Sequence, residues 1–172
     1  IFFFLHGRDQ AERKKGEGKR GRKGNGKRET GNREKKKHMS TLFTKIIKNE
    51  IPSTKIYEDE LCIAILDIAP VNKGHALVIV KNEYETVLEC PDEVLSHMIT
   101  TAKRLAAKMK IKLNIDGFNI MINNGAASGQ EVPHLHIHII PRFKNDGKTP
   151  KLQKEQYREN EMEDFGEILY LN

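Results

Sequence analysis

The chain has 172 residues, enough for one domain with a buried core and too few for two sizeable ones. Its 30 Lys and Arg against 24 Asp and Glu give a formal charge of +6, but the first 39 residues hold 14 basic and 5 acidic residues while the remainder holds 16 and 19, so the basicity belongs to the tail and excludes a nucleic-acid argument built on the folded part. No apolar run approaches the roughly 18 residues that cross a bilayer, and two cysteines, Cys62 and Cys90, are too few for a disulfide framework and suit a reducing compartment, cytoplasmic with a nuclear option.

From Gln10 to Lys37 the sequence carries no large apolar residue, so it cannot bury enough surface to offset the entropy of ordering it, and disorder is expected. The opening Ile1–Leu5 is shorter than the about 7–15 apolar residues of a signal peptide, and the acids of the tail argue against a transit peptide. Met39 is the first methionine, and Met39-Ser40 reads as the natural start of the functional domain. Residues 1–39 then form an extension or translated upstream sequence, with a polybasic nucleic-acid-binding arm as the alternative.

Ser40 or Thr41 can cap a short helix with Leu42, Phe43, Ile46 and Ile47 on one face, stopped by Pro52. Thr54–Glu58 and Leu61–Asp67 read as a hairpin around an acidic turn, and after the Pro, Asn and Gly of the 68–74 loop a third strand runs over His75–Val80. Beyond Pro91-Asp92, apolar residues from Val94 to Met109 keep a helical period for about 18 residues. Phe118–Asn123 and His134–Ile140 are the last two strands, separated by the small residues 125–129. The order predicts an α+β domain at 40–142 with an antiparallel sheet of about five strands and two helices, followed by an arm at 143–172.

Alternation along Pro133-His134-Leu135-His136-Ile137-His138-Ile139-Ile140 places His134, His136 and His138 on one strand face and the aliphatic residues on the other. Three imidazoles on one side of an apolar strand are costly to bury without partners, so they point to a site. A set of structural histidines and a His-based zinc site are the alternatives. The adjoining Asn123, Gly125, Ser128, Gly129 and Gln130 offer small side chains and backbone N–H groups, which suit an oxyanion better than a cation. Together they describe a phosphate-handling site in which a histidine attacks phosphorus.

The HLHIHII segment, with LFTKIIKNEIPSTKIYEDE, DIAPVNKGHALVIVK and NNGAASGQEVPHLHIHIIPR in the same order, resembles the histidine triad (HIT) superfamily over Thr41–Arg142, and within it the Hint branch of purine nucleoside phosphoramidases. The resemblance implies a HIT-like fold, a homodimer, an AMP-like purine nucleotide substrate and no cofactor. It implies that His136 is the nucleophile toward an α-phosphorus, that His134 orients it partly through its carbonyl, that His138 contacts the phosphate and that His75 packs beside the triad. It further implies a base pocket from Leu42, Phe43, Ile46, Ile65 and Ile68, ribose hydroxyls on Asp67, and Asn123, Gly129, Gln130 and Glu131 around the phosphate and leaving group. Many Hint-branch members have Ser where this chain has Glu131, which removes a hydroxyl donor from the leaving-group side. Relatives that bind structural zinc carry paired cysteines where this chain has Thr41 and Thr44, so no zinc site is expected. A dinucleoside polyphosphate hydrolase of the Fhit type and a non-catalytic nucleotide-binding scaffold are the competing functions. For a neutral imidazole nucleophile the rate should fall as pH drops through the histidine range near about 6.5.

Overall fold

Helix α1 (Leu42–Ile47) begins where Thr41, in extended conformation, accepts the Thr44 N–H on its hydroxyl while Thr44 Oγ1 accepts the Thr41 N–H in return. These details come from a computed structural model that describes residues 40–148 and 153–171; the expectations for residues 1–39 lie outside the described residues. The helix turns Phe43, Thr44 and Ile46 inward. Strands β1 (Lys55–Glu58) and β2 (Cys62–Leu66) form the expected hairpin. Asp59 shapes its turn: Oδ1 accepts the N–H groups of Leu61 and Cys62 at 2.9 and 2.8 Å, and Oδ2 accepts the Tyr57 hydroxyl at 2.6 Å. Strand β3 (Ala76–Val80) follows Gly74, which has φ +95° and on which an added Cβ would stand 2.7 Å from Leu113 Cδ1.

The long helix α2 (Asp92–Lys112) carries acids in its first turn and lysines in its last, matching the helix dipole, and buries Met98, Thr101, Ala102, Ala106 and Met109. Strands β4 (Gly117–Met121) and β5 (His136–Arg142) complete a five-stranded sheet of order β1-β2-β3-β5-β4, antiparallel at every pair. No helix of the described residues is long and apolar enough to cross a membrane.

The sheet has two covered faces, each with its own residue set. Cys62, Ala64, Val78, Val80, Leu135, Ile137 and Ile139 pack with Met98, Ala102 and Ala106 of α2. Ile63, Ile65, Leu77 and Ile79 pack with Phe43 and Ile46 of α1. Pairing of His136 with Ile79 and of His138 with Leu77 sets both imidazoles on the α1 side.

The α+β fold with its antiparallel sheet agrees with the expectation from sequence, with two differences. Strand β5 starts at His136, because the His134 N–H donates to Val132 O at 2.8 Å and the Leu135 N–H to Tyr84 O at 2.7 Å, which commits that stretch to a turn. His134 therefore precedes the strand. The arm also contains a third helix, α3 (Glu161–Leu169), in which no residue is buried, so no burial pattern against the core marks it out.

Candidate functional site

His136 and His138 stand on adjacent same-face positions of β5 with ring centroids 4.8 Å apart, and Phe43 of α1 presents its ring edge-on to His136 at 4.9 Å. His134, although off the strand, is brought to the same side, 6.0 Å from the Phe43 ring. His75, at the entry to β3, closes the group with Nε2 3.0 Å from His138 Nδ1. The four histidines named by the sequence are thus one cluster.

The carbonyl partners determine which nitrogens carry hydrogen, because a carbonyl oxygen only accepts. His134 Nε2–H donates to Val80 O at 2.7 Å. His136 Nδ1–H donates to the His134 carbonyl at 2.7 Å. In a neutral ring this leaves the His136 Nε2 as a lone pair, and among the described residues nothing hydrogen-bonds to it. His75 Nδ1 receives the Val71 N–H at 3.3 Å, so His75 donates through Nε2 to His138 Nδ1, and His138 carries its hydrogen on Nε2. One ring therefore offers a lone pair and its neighbour a donor. That complementary pair suits attack on a phosphorus whose oxygens need donors.

Burial favours the neutral form of these rings. It lowers the His134 and His136 pKa values, opposed in part by the carbonyl bonds each makes and, for His136, by the negative charges of Asp67 and Glu131. His138 is pushed down to about 4 by burial, then by its His136 and His75 neighbours. Burial lowers His75 as well, against the pull of Asp67, whose Oδ2 lies 3.3 Å from its Nδ1.

The residues assigned to the nucleotide divide by exposure. Phe43, Ile46 and Ile65 are buried in the α1-side core, so only their edges can serve a base, whereas Leu42 is 49% and Ile68 100% exposed. Asp67 lies in the loop after β2, with Oδ1 accepting the Ala69 N–H at 2.8 Å. Glu131 is exposed, and near enough to His136 to act on its charge.

The glycine-rich loop corrects one expectation. Four of its backbone donors are not open: Gly125 N–H goes to Gln130 Oε1, Gln130 and Ser128 N–H to Gly125 O, and Gly129 N–H to Ala126 O. The Gln130 side chain is buried and bridges the loop to Glu85 O at 2.7 Å, and Asn123 Nδ2 donates to Gly129 O. Both side chains shape the loop. Positive φ at Gly125 and Gly129, +83° and +87°, permits the tight path around the 3-10 turn at Ala126–Ser128.

Among the described residues, two groups bring three ligand-type atoms within 4.8 Å: Asp67, His75 and His138 in the cluster, and Asp59, Cys62 and His97 elsewhere. In the second group Asp59 Oδ2 already accepts Tyr57 and His97 at 2.6 Å each, and burial and the Asp59 charge push the Cys62 thiol up to about 12, so it holds its proton. Sequence reasoning missed two partners of the triad, the Thr41 hydroxyl at 3.1 Å from His134 Nδ1 and the Val80 carbonyl. Both contacts span more than fifty positions of chain, and no local pattern announces them.

Comparison with known proteins identifies the family. A HIT domain matches residues 48–145. An uncharacterized HIT-like protein of Methanocaldococcus jannaschii is 50% identical over 110 residues, covering 64% of this chain and 84% of that one. The adenosine 5′-monophosphoramidase HNT1 of Saccharomyces cerevisiae is 40% identical over 127 residues, 74% of this chain and 77% of its own. The crystal structure of a histidine triad nucleotide-binding protein from Candida albicans superposes with a TM-score of 0.67 at 32% identity, over 76% of this chain and 94% of that one. With the triad, its fourth histidine and the antiparallel sheet in place, the chain belongs to the HIT family, in its Hint-like branch.

Proposed function

We propose that the protein is a nucleotide hydrolase that cleaves purine nucleoside phosphoramidates or acyl-nucleotides at the α-phosphorus through a nucleotidyl-histidine intermediate. One observation carries the reading: His136 Nδ1–H is committed to the His134 carbonyl at 2.7 Å, so its lone pair is on Nε2, in a site where burial lowers its pKa. The yeast relative's name, an adenosine 5′-monophosphoramidase, supports the substrate class.

In the first half-reaction the Nε2 lone pair forms a bond to phosphorus as the bond to the leaving nitrogen or oxygen breaks, and the leaving group takes up a proton from solvent. In the second, water attacks phosphorus and gives up a proton to solvent as the P–Nε2 bond breaks, returning the imidazole and releasing the nucleoside monophosphate. His138, with its hydrogen on Nε2, donates to a phosphate oxygen, and His75 holds it in that tautomer. Asp67 accepts the ribose hydroxyls, and Leu42, Ile68 and the edges of Phe43, Ile46 and Ile65 flank the base. Asn123, Gly129, Gln130 and Glu131 form the loop side of the phosphate. With Glu131 in place of a hydroxyl, leaving-group protonation falls to another donor. The working unit is a homodimer.

Turnover of a fluorogenic adenosine phosphoramidate set against diadenosine triphosphate tests the reading. Preference for the phosphoramidate is expected; preference for the dinucleotide would place the protein with the Fhit type. Nucleotide binding without turnover of either would make it a scaffold.

A further inference from the structure

His134 does not face substrate through its ring, because both ring nitrogens are occupied within the protein. Nε2–H donates to Val80 O at 2.7 Å, which makes Nδ1 an acceptor in the neutral ring, and the group facing it at 3.1 Å is the Thr41 hydroxyl. His134 is only 1% exposed, so bulk water does not reach Nδ1 to stand in for that partner. Thr41 Oγ1 has one hydrogen and two acceptors within reach, His134 Nδ1 and Thr44 Oγ1, the latter 3.0 Å away. Thr44 Oγ1 already accepts the Thr41 N–H and directs its own hydrogen to Glu83 Oε1 at 3.2 Å. The hydrogen of Thr41 therefore goes where its absence costs most, to the buried imidazole lone pair.

We propose that Thr41 is a positioning residue for the reaction: its hydroxyl fixes the tautomer and plane of His134, whose carbonyl in turn holds His136 with Nδ1 protonated and Nε2 free. The inference rests on the reading of His136 as nucleophile. Thr41 touches no reacting atom. It acts through a chain of two hydrogen bonds, 3.1 Å to His134 Nδ1 and 2.7 Å from the His134 carbonyl to His136 Nδ1. Its place at the cap of α1 also links the helix that carries Phe43 to the turn that carries His134.

The test separates positioning from simple helix capping. Thr41→Val removes both the cap and the donor to His134; Thr44→Val disturbs the same capping box but leaves that donor in place; Thr41→Ser keeps both. For each, kcat and KM on an adenosine phosphoramidate are measured with folding stability, and the ring nitrogens of His134 and His136 are read by ¹⁵N NMR in the absence of substrate. The expected result for Thr41→Val is a loss of kcat on the order of tenfold or more with KM little changed, and altered nitrogen signals for both rings. Thr41→Ser restores them, and Thr44→Val loses stability with kcat close to wild type. Unchanged nitrogen signals in Thr41→Val, or equal kcat losses in the two valine variants in step with their stability losses, would overturn the proposal. The NMR readout needs no turnover, so it still decides the role of Thr41 if the wild-type protein does not hydrolyse the substrate.

Discussion

His134, His136 and His138 lie in one cluster, yet their ring nitrogens meet different partners and so offer different chemistry. His134 and His136 both donate to backbone carbonyls, but through opposite nitrogens, and only His136 is left with its lone pair outside the bond network. Its pKa lies below the ordinary value of about 6.5 because burial disfavours the cation. The sign follows: the neutral, reactive form persists to lower pH than in a free imidazole, so turnover should stay flat through neutrality and fall only below about pH 6.5. A pH profile of kcat whose acid limb sits at or above that value would contradict this environment for the nucleophile. Asp67, with one oxygen on the Ala69 N–H and the other toward His75, is the acid that the proposed function places on the ribose. Asp67→Ala should weaken AMP binding by about 1–3 kcal/mol, the scale of a charge-assisted hydrogen bond. Unaltered affinity by calorimetry would remove Asp67 from the ribose.

At the scale of elements, the histidine strand works because its other face is anchored. Ile137 is fully buried in the cluster that holds Met98, Ala102 and Ala106 of α2, so Ile137→Ala should cost about 2–5 kcal/mol in urea unfolding, and a loss under about 1 kcal/mol would show that the face is not packed as described. That face was legible in the sequence, since Leu135, Ile137 and Ile139 alternate with the histidines and α2 repeats its apolar residues at helical spacing. The start of β5 was not legible. His134 keeps the alternation, yet turn bonds to Val132 and Tyr84 draw it off the strand, and those depend on segments distant in sequence or on the turn itself. The glycine loop was legible as a tight turn but not in its bonding, because whether an N–H is open depends on where the Gln130 amide folds. Helix α3 had a readable signal, apolar Met162, Phe165, Ile168 and Leu169 at spacings of three and four, but Gly166 and four acids mask it and no core residue answers it.

Across the whole molecule, the four clustered histidines contribute to how stability changes on acidification. His75, His134, His136 and His138 all have folded pKa values below the unfolded one, so on acidification the unfolded chain binds protons first. Stability should therefore be full above about pH 6.5 and decline as pH falls from there toward about 4, the value for His138. Urea midpoints at pH 7 and pH 5 check this, and equal midpoints would contradict it. Residues 1–39 add no core-forming stretch after Leu5, so their deletion should leave the melting temperature and turnover unchanged, as scanning calorimetry and an assay would show. Sheet register, α1 and the 134 turn converge to leave one nitrogen, Nε2 of His136, outside the bond network. The most direct measurement is mass spectrometry of a rapidly quenched reaction with an adenosine phosphoramidate, run beside His136→Ala. The expected result is a nucleotidyl group on the peptide carrying His136 and a turnover loss on the order of 10³ or more in the variant. A nucleotidyl group on any other residue, or wild-type turnover in His136→Ala, would contradict it.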